Sequence, residues 1–211
     1  MKQLLLIVGI CLTNTIFVLA QQRVVAECTV QYKITLEDLK TDKDVQNAVQ
    51  LSNKTVYIKG NDCRIDLMSP SLTQSIIYEK LNGSAVVLRE FGNNKFMTKL
   101  APEKWTAANK QYDEMTISLM DETKIILGYD CKKAMLNLKD GSVYNLYYAT
   151  SITPSVKEFE YPFRDVPGFV LEYQIKEVGE TIVNYKAVKI NLSPVQASKF
   201  DIPTSGYRIL N

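Results

Sequence analysis

Histidine is absent from the 211 residues, and that absence excludes more chemistry than any residue present supplies. Ser-His-Asp and Cys-His nucleophiles, and most zinc hydrolase sites, need an imidazole that titrates near neutral pH. Neither GxGxxG nor the longer glycine loop ending in Lys-Ser/Thr occurs, so no phosphate-cradling loop is expected. Cysteine is scarce, 4 in all, and no two lie close in sequence. With no histidine beside them the usual zinc ligand spacings are missing, and no metal or other cofactor is expected. An excess of one charge is missing too. The 25 basic residues face 23 acidic ones, which leaves no electrostatic footprint for nucleic acid. Carboxylates fall near one another at Glu158, Glu160 and Asp165 and at Asp121 and Glu122, but in expected loops and turns where solvated acids are ordinary, so no catalytic pair is assigned and no enzyme is expected.

What is present begins with a leader. Met1-Lys2, the apolar run Leu4 to Ile10 and Phe17-Val18-Leu19-Ala20, followed by Gln21-Gln22, read as a signal peptide cleaved after Ala20. The remainder, 21–211, is expected to be one exported domain in the periplasm or at the cell surface, and it holds no later run long enough to span a bilayer. It keeps Cys28, Cys63 and Cys131, an odd number in a compartment that permits disulfides. One bridge and one buried thiol are expected, and spacing leaves all three pairings open.

Cys28 to Ile34 alternates apolar and polar residues, the mark of a half-buried strand. Leu36 to Leu51 has helical spacing at Val45, Ala48 and Val49 and is expected to form a short helix or lid. Thr55–Lys59, Cys63–Met68, Gln74–Tyr78, Ala85–Phe91 and Lys95–Leu100 read as an antiparallel meander, broken by Gly60-Asn61-Asp62, Ser69-Pro70, Asn82-Gly83 and Gly92-Asn93-Asn94. Cys63, Ile65 and Leu67 should face a core, and Arg64 and Asp66 solvent.

Pro102 to Tyr112 predicts a helix with proline in its first turn and Trp105, the one tryptophan, on its packing face. Met115–Met120 reads as a strand and Asp121-Glu122 as a turn. The organising hairpin is expected over Lys124 to Ala149, with Asp140-Gly141 at its turn. Ser151 to Gly168 is long and irregular and carries Phe159, Tyr161 and Phe163, so it is expected to fold back as a flap. A last hairpin about Gly179-Glu180 and an ordered tail with Phe200 and Tyr207 complete the chain. A one-sided curved sheet under such covers either encloses a cavity for an apolar ligand or holds a filled core.

Four runs, KTVYIKGNDCRIDLMSP at Lys54 to Pro70, ILGYDCKKA at Ile126 to Ala134, VPGFVLEYQ at Val166 to Gln174 and FDIPTSGYRIL at Phe200 to Leu210, resemble a family of exported bacterial domains of unknown function. That family is similar in fold to the periplasmic lipoprotein carriers of the LolA/LolB type. VPGFVLEY is also similar to the exported family named for its Gly-Leu-Pro-Gly-Leu-Ile signature, with Val166, Phe169 and Val170 departing from that string. The resemblance implies a mainly β fold with α-helices, an open antiparallel half-barrel whose concave face is covered by short helices and the flap. In the family-like pattern Cys28 and Cys131 both begin strands and become the preferred disulfide. The resulting expectation is a non-enzymatic binding protein holding a lipid or other apolar small molecule between Val30, Tyr32, Ile65 and Leu67 of the sheet and Trp105, Tyr161 and Phe163 of the covers. The alternative is an interaction domain with a filled core that serves an envelope protein partner.

Overall fold

A computed structural model describes residues 21–37, 42–176 and 182–210. The expected leader at 1–20 and the turn at Gly179-Glu180 lie outside the described residues. The first half of the chain gives β1 (Arg23–Val25), β2 (Glu27–Leu36), helix α1 (Lys43–Gln50), and then a meander of β3 (Asn53–Lys59), β4 (Asp62–Met68), β5 (Thr73–Glu79), β6 (Ser84–Phe91) and β7 (Asn94–Leu100). Helix α2 (Pro102–Ala108) leads to β8 (Thr116–Ile126), β9 (Tyr129–Asn137), β10 (Val143–Ala149), β11 (Ile152–Pro154), β12 (Phe169–Lys176), β13 (Ile182–Asn191) and β14 (Arg208–Leu210).

Twelve strands form one sheet in the order β14-β7-β6-β5-β4-β3-β2-β13-β12-β10-β9-β8, and β1 and β11 pair as a second, parallel ribbon. The large sheet curves without closing into a barrel, as the half-barrel expectation requires. Its ladders are antiparallel except the last, because β14 joins β7 in parallel. That one parallel pairing is added to the antiparallel sheet expected.

Alternation sets the faces. Cys28, Val30, Tyr32 and Ile34 of β2 are all buried while Gln31 and Lys33 are exposed, so β2 turns its apolar side to the concave core. Across from it, Val56 and Ile58 of β3 are fully buried. The outer face is less bare than expected. Ile77, Val86, Leu88 and Met97 form a second apolar cluster there, packed by Tyr207 of the tail. Arg64 lies against Asp66 and Ser75 and donates through Nη1 to the Lys199 carbonyl at 2.9 Å. The polar side of β4 therefore holds the tail rather than facing water alone.

Two local readings are corrected. Asp121-Glu122 is not a turn: β8 runs straight through it, with a register shift against β9 between Leu119 and Thr123. On an edge strand a bulge of polar residues meets water at no burial cost. The reversal comes later, at Leu127-Gly128, where φ is 52° and 82°. Two left-handed residues between the paired Ile126 and Tyr129 make the kind of tight turn that suits twisted hairpin strands, with a leucine accepting the strained position.

The covers differ in what they bury. Trp105 of α2 is buried, as are Val156, Phe163 and Val166 of the flap. The flap is anchored by short 3-10 turns at Lys157–Phe159 and Tyr161–Phe163 and by bonds from Ser155 to the Gly60 and Val25 backbone. Helix α1 instead buries none of its residues. It is capped by Asp42 and contacts β2, and it is the short helix, one of the two readings of Leu36 to Leu51.

The three cysteines are free and buried. Cys28 and Cys63 both pair with Ile58, from opposite sides, which sets them two strand spacings apart, on the order of 9–10 Å, beyond disulfide reach. Between Cys28 on β2 and Cys131 on β9 stand β13, β12 and β10. The expected Cys28–Cys131 bridge is thus not made. Burial pushes the Cys28 thiol up to about 12, Cys131 to about 11, and Cys63 well above its ordinary value, so none is a ready nucleophile. Unreduced protein, unfolded and then alkylated, should take up label at all three cysteines and show no addition while folded. A Cys28–Cys131 linked peptide would overturn this.

Candidate functional site

The concave face, α2 and the flap form an open cleft of about 230 Å³. Its walls come from three places. The sheet supplies Ile65 and Leu67 of β4, Ile76 of β5 and Ile175 of β12, each inward by strand alternation. Helix α2 supplies Trp105, and the flap supplies Tyr161, Pro162 and Phe163. Ile65, Leu67, Trp105, Tyr161 and Phe163 were expected from the sequence, and the structure brings all of them to this one space. Val30 and Tyr32 sit deeper, 0% and 1% exposed. They are floor beneath the cleft, not its lining.

Aromatic rings set the shape of the mouth. Trp105 lies between Tyr78 and Tyr161, with ring centroids 5.6 and 6.4 Å away. Tyr161 continues to Tyr112 at 6.3 Å, and Tyr112 to Tyr144 at 6.5 Å. The Arg164 guanidinium covers Tyr161 at 4.2 Å and reaches the Tyr112 carbonyl, so the flap is pinned to the segment after α2. Phe163 packs edge-on against Tyr173 at 4.9 Å, and Tyr173 stacks on Tyr185 at 4.6 Å with a 6° interplanar angle. Such contacts add stability beyond the area they bury.

At the base of the cleft is a feature that sequence reading missed. Lys54 of β3 points inward between Tyr32 of β2 and Leu67 of β4 and is 4% exposed. Its ammonium pairs with Glu160 of the flap and donates to the Tyr173 hydroxyl at 2.7 Å. The rings of Tyr173, Tyr32 and Tyr185 surround it at 4.9, 5.0 and 5.6 Å, a desolvated cation–π cage. Burial lowers the Lys54 pKa, while the Glu160 charge opposes that shift. Burial, followed by the Glu160 charge, holds the Tyr173 hydroxyl well above its ordinary value. The pair is incomplete on one side. Glu160 engages through Oε1, and its buried Oε2 has no hydrogen-bond partner.

The signal for Lys54 was its register. It is two residues from Val56 and four from Ile58, both core residues, so alternation directs it inward. The position of Glu160 had no such signal, since its partner lies 106 residues away. The arrangement offers an apolar wall with one fixed cation and one carboxylate. Among the described residues no three His, Cys, Asp or Glu side chains gather in a way that could hold a metal.

No protein-family model and no curated protein matches the chain. Among solved structures, PNGF-II aligns over 87% of this chain and 30% of its own, at 17% identity and a TM-score of 0.50. An uncharacterized conserved protein from Thermus thermophilus aligns over 86% of this chain and 89% of its own, at 8% identity and a TM-score of 0.49. A LolA superfamily protein from Nitrosomonas europaea aligns over 84% of this chain and 91% of its own, at 13% identity and a TM-score of 0.37. The chain spans under a third of the PNGF-II chain, and the likeness to it is one of fold alone.

Proposed function

We propose that this chain is an exported, non-enzymatic binding protein of the cell envelope, a single domain behind a cleaved leader, that holds a lipid or other apolar ligand in the cleft under α2 and the flap. The observation that carries the reading is the cleft itself. It has about 230 Å³ and is walled mainly by aliphatic and aromatic side chains, with Gln74 and Asn109 among them, the mixture of apolar walls and a few polar groups that suits a small-molecule site. The volume falls below the several hundred Å³ of a drug-sized site, so with the flap in place it suits a short apolar group or one end of an acyl chain. The resemblance of Lys54 to Pro70 and Val166 to Gln174 to exported LolA-like domains agrees with that use.

The interaction-domain reading draws on a different observation. Strand β8 forms an unpaired edge of the sheet, and Leu119 and Ile125 on it are 60% and 73% exposed. Exposed edges of this kind accept partner strands.

Titration with an apolar fluorescent probe separates the two. The native protein is expected to bind the probe, and Trp105→Ala to weaken binding by about tenfold, or about 1.4 kcal/mol. Wild-type protein that binds no probe would sink the cleft reading and leave the β8 edge as the surface to pursue.

A further inference from the structure

Building on the cleft as a ligand site, we infer that its ligand is an amphiphile with an anionic head group, carboxylate or phosphate, which replaces Glu160 on the Lys54 ammonium. The two partners of the buried ion pair are held very differently. Lys54 belongs to a strand with neighbours on both sides, β2 and β4, and its ammonium is ringed by Tyr32, Tyr173 and Tyr185. Its side chain is 5% exposed. Glu160 sits in the flap between two short 3-10 turns, with an extended backbone at φ −114° and ψ 97°. Glu160 belongs to no strand, so a local turn of its own segment moves the carboxylate off Lys54 without breaking a ladder.

Lys54 and Glu160 are the only charged residues lining the cleft among those described. Once the carboxylate leaves, what remains is a mainly apolar chamber, with Gln74 and Asn109 as neutral polar residues of its wall, and a single cation at its base beside the Tyr173 hydroxyl. A buried unpaired cation is costly, so the chamber favours a ligand that brings a negative charge together with an alkyl chain. The bond to be exchanged is already a partial one, since Oε2 of Glu160 is buried without a partner. The displaced carboxylate regains full hydration outside. A neutral amphiphile gains only apolar contact and leaves the pair as it is. A cationic one meets Lys54.

The test is displacement of the apolar probe at neutral pH by dodecanoate, dodecyl phosphate, dodecanol and dodecyltrimethylammonium, each as monomer. The proteins are wild type, Glu160→Gln, and the double variant Lys54→Met/Glu160→Gln, in which neither buried charge remains. Wild type is expected to bind one or both anions at least about tenfold more tightly than dodecanol, and Glu160→Gln to widen that preference by removing the internal competitor. The double variant should still bind dodecanol but lose its preference for the anions. A lead for dodecanoate points to a fatty acid, and a lead for dodecyl phosphate to a phospholipid head.

Equal affinity for dodecanol and the anions in wild type overturns the inference while leaving the cleft as an apolar site. So does a preference that survives in the double variant. Failure of all four compounds and of the probe removes the cleft reading itself.

Discussion

Glu160→Ala lowers the unfolding free energy by about 3 to 5 kcal/mol, the usual cost of stranding one charge of a buried pair. Lys54→Met costs less, and the two changes together recover most of the loss. The asymmetry follows from which partner can escape. Without Glu160 the Lys54 ammonium stays in the sheet, with its side chain 5% exposed and its remaining interactions limited to the Tyr173 hydroxyl and the tyrosine rings. Without Lys54 the Glu160 carboxylate, with its side chain 11% exposed and outside any strand, can turn locally toward water. Denaturant midpoints of the two single variants and the double measure this directly, and equal losses in both single variants would contradict it.

The same variant carries a pH signature. Burial already lowers the Lys54 pKa with Glu160 present to oppose it, and removing Glu160 lowers it further. Between that value and the ordinary lysine value the unfolded chain binds the extra proton, so the stability of Glu160→Ala rises with pH across the window. A midpoint that falls as pH climbs there would be inconsistent with a trapped Lys54.

Gly168→Ala is the second large effect expected, and it arises from close approach rather than from backbone conformation. A Cβ on Gly168 would stand 2.2 Å from the Ala149 carbonyl oxygen, 2.6 Å from Cδ2 of Tyr148 and 3.1 Å from the Ala149 carbonyl carbon. Two of these atoms are backbone of β10, in the ladder that pairs Ala149 with Phe169 of β12, and they cannot swing aside as the end of a side chain could. Overpacking in a tight site costs about 1 to 3 kcal/mol and sometimes more. Gly168→Ala belongs at the upper end, because the strand register itself must yield. Thermal or denaturant unfolding checks it, and a variant as stable as wild type would mean that β10 and β12 part there without penalty. The contact also explains the glycine in the Val-Pro-Gly-Phe run, which ends the flap at the point where the chain must press against β10.

Much of the sheet was legible because its turns are marked where its strands end. Asn82-Gly83, Gly60-Asn61-Asp62 and Gly92-Asn93-Asn94 bracket the meander, and alternation along β2 and β4 told inward from outward residues. Where a turn used an ordinary residue, at Leu127, the pattern read as continuous strand. Polar Asp121-Glu122 on the edge strand read as a turn for the opposite reason, since nothing there is buried to keep the apolar alternation going. The three-residue strands β1, β11 and β14 are too short to carry a period. The cleft was half legible. Its apolar walls followed from alternation and from the aromatic flap, whereas Lys54 has an inward register that a charged side chain disguises. Glu160 can be placed only by a contact across half of the chain, and no local pattern encodes such a contact.

The strand order has a consequence for how the molecule is assembled. Strands β3 to β7 zip onto β2 by neighbour-to-neighbour hairpins, and β8 to β10 do likewise. The main seam between the two halves of the sheet is β2 against β13, where Thr29 faces Asn191 and Val30 faces Ile190, and β14 adds a shorter junction by joining β7. Closing it means joining segments from nearly opposite ends of the chain, and ladders of such wide sequence separation form slowly. Until that seam closes, each half presents an open, apolar-faced edge to any other strand, so the rate of this one step governs how long the nascent protein is exposed to aggregation.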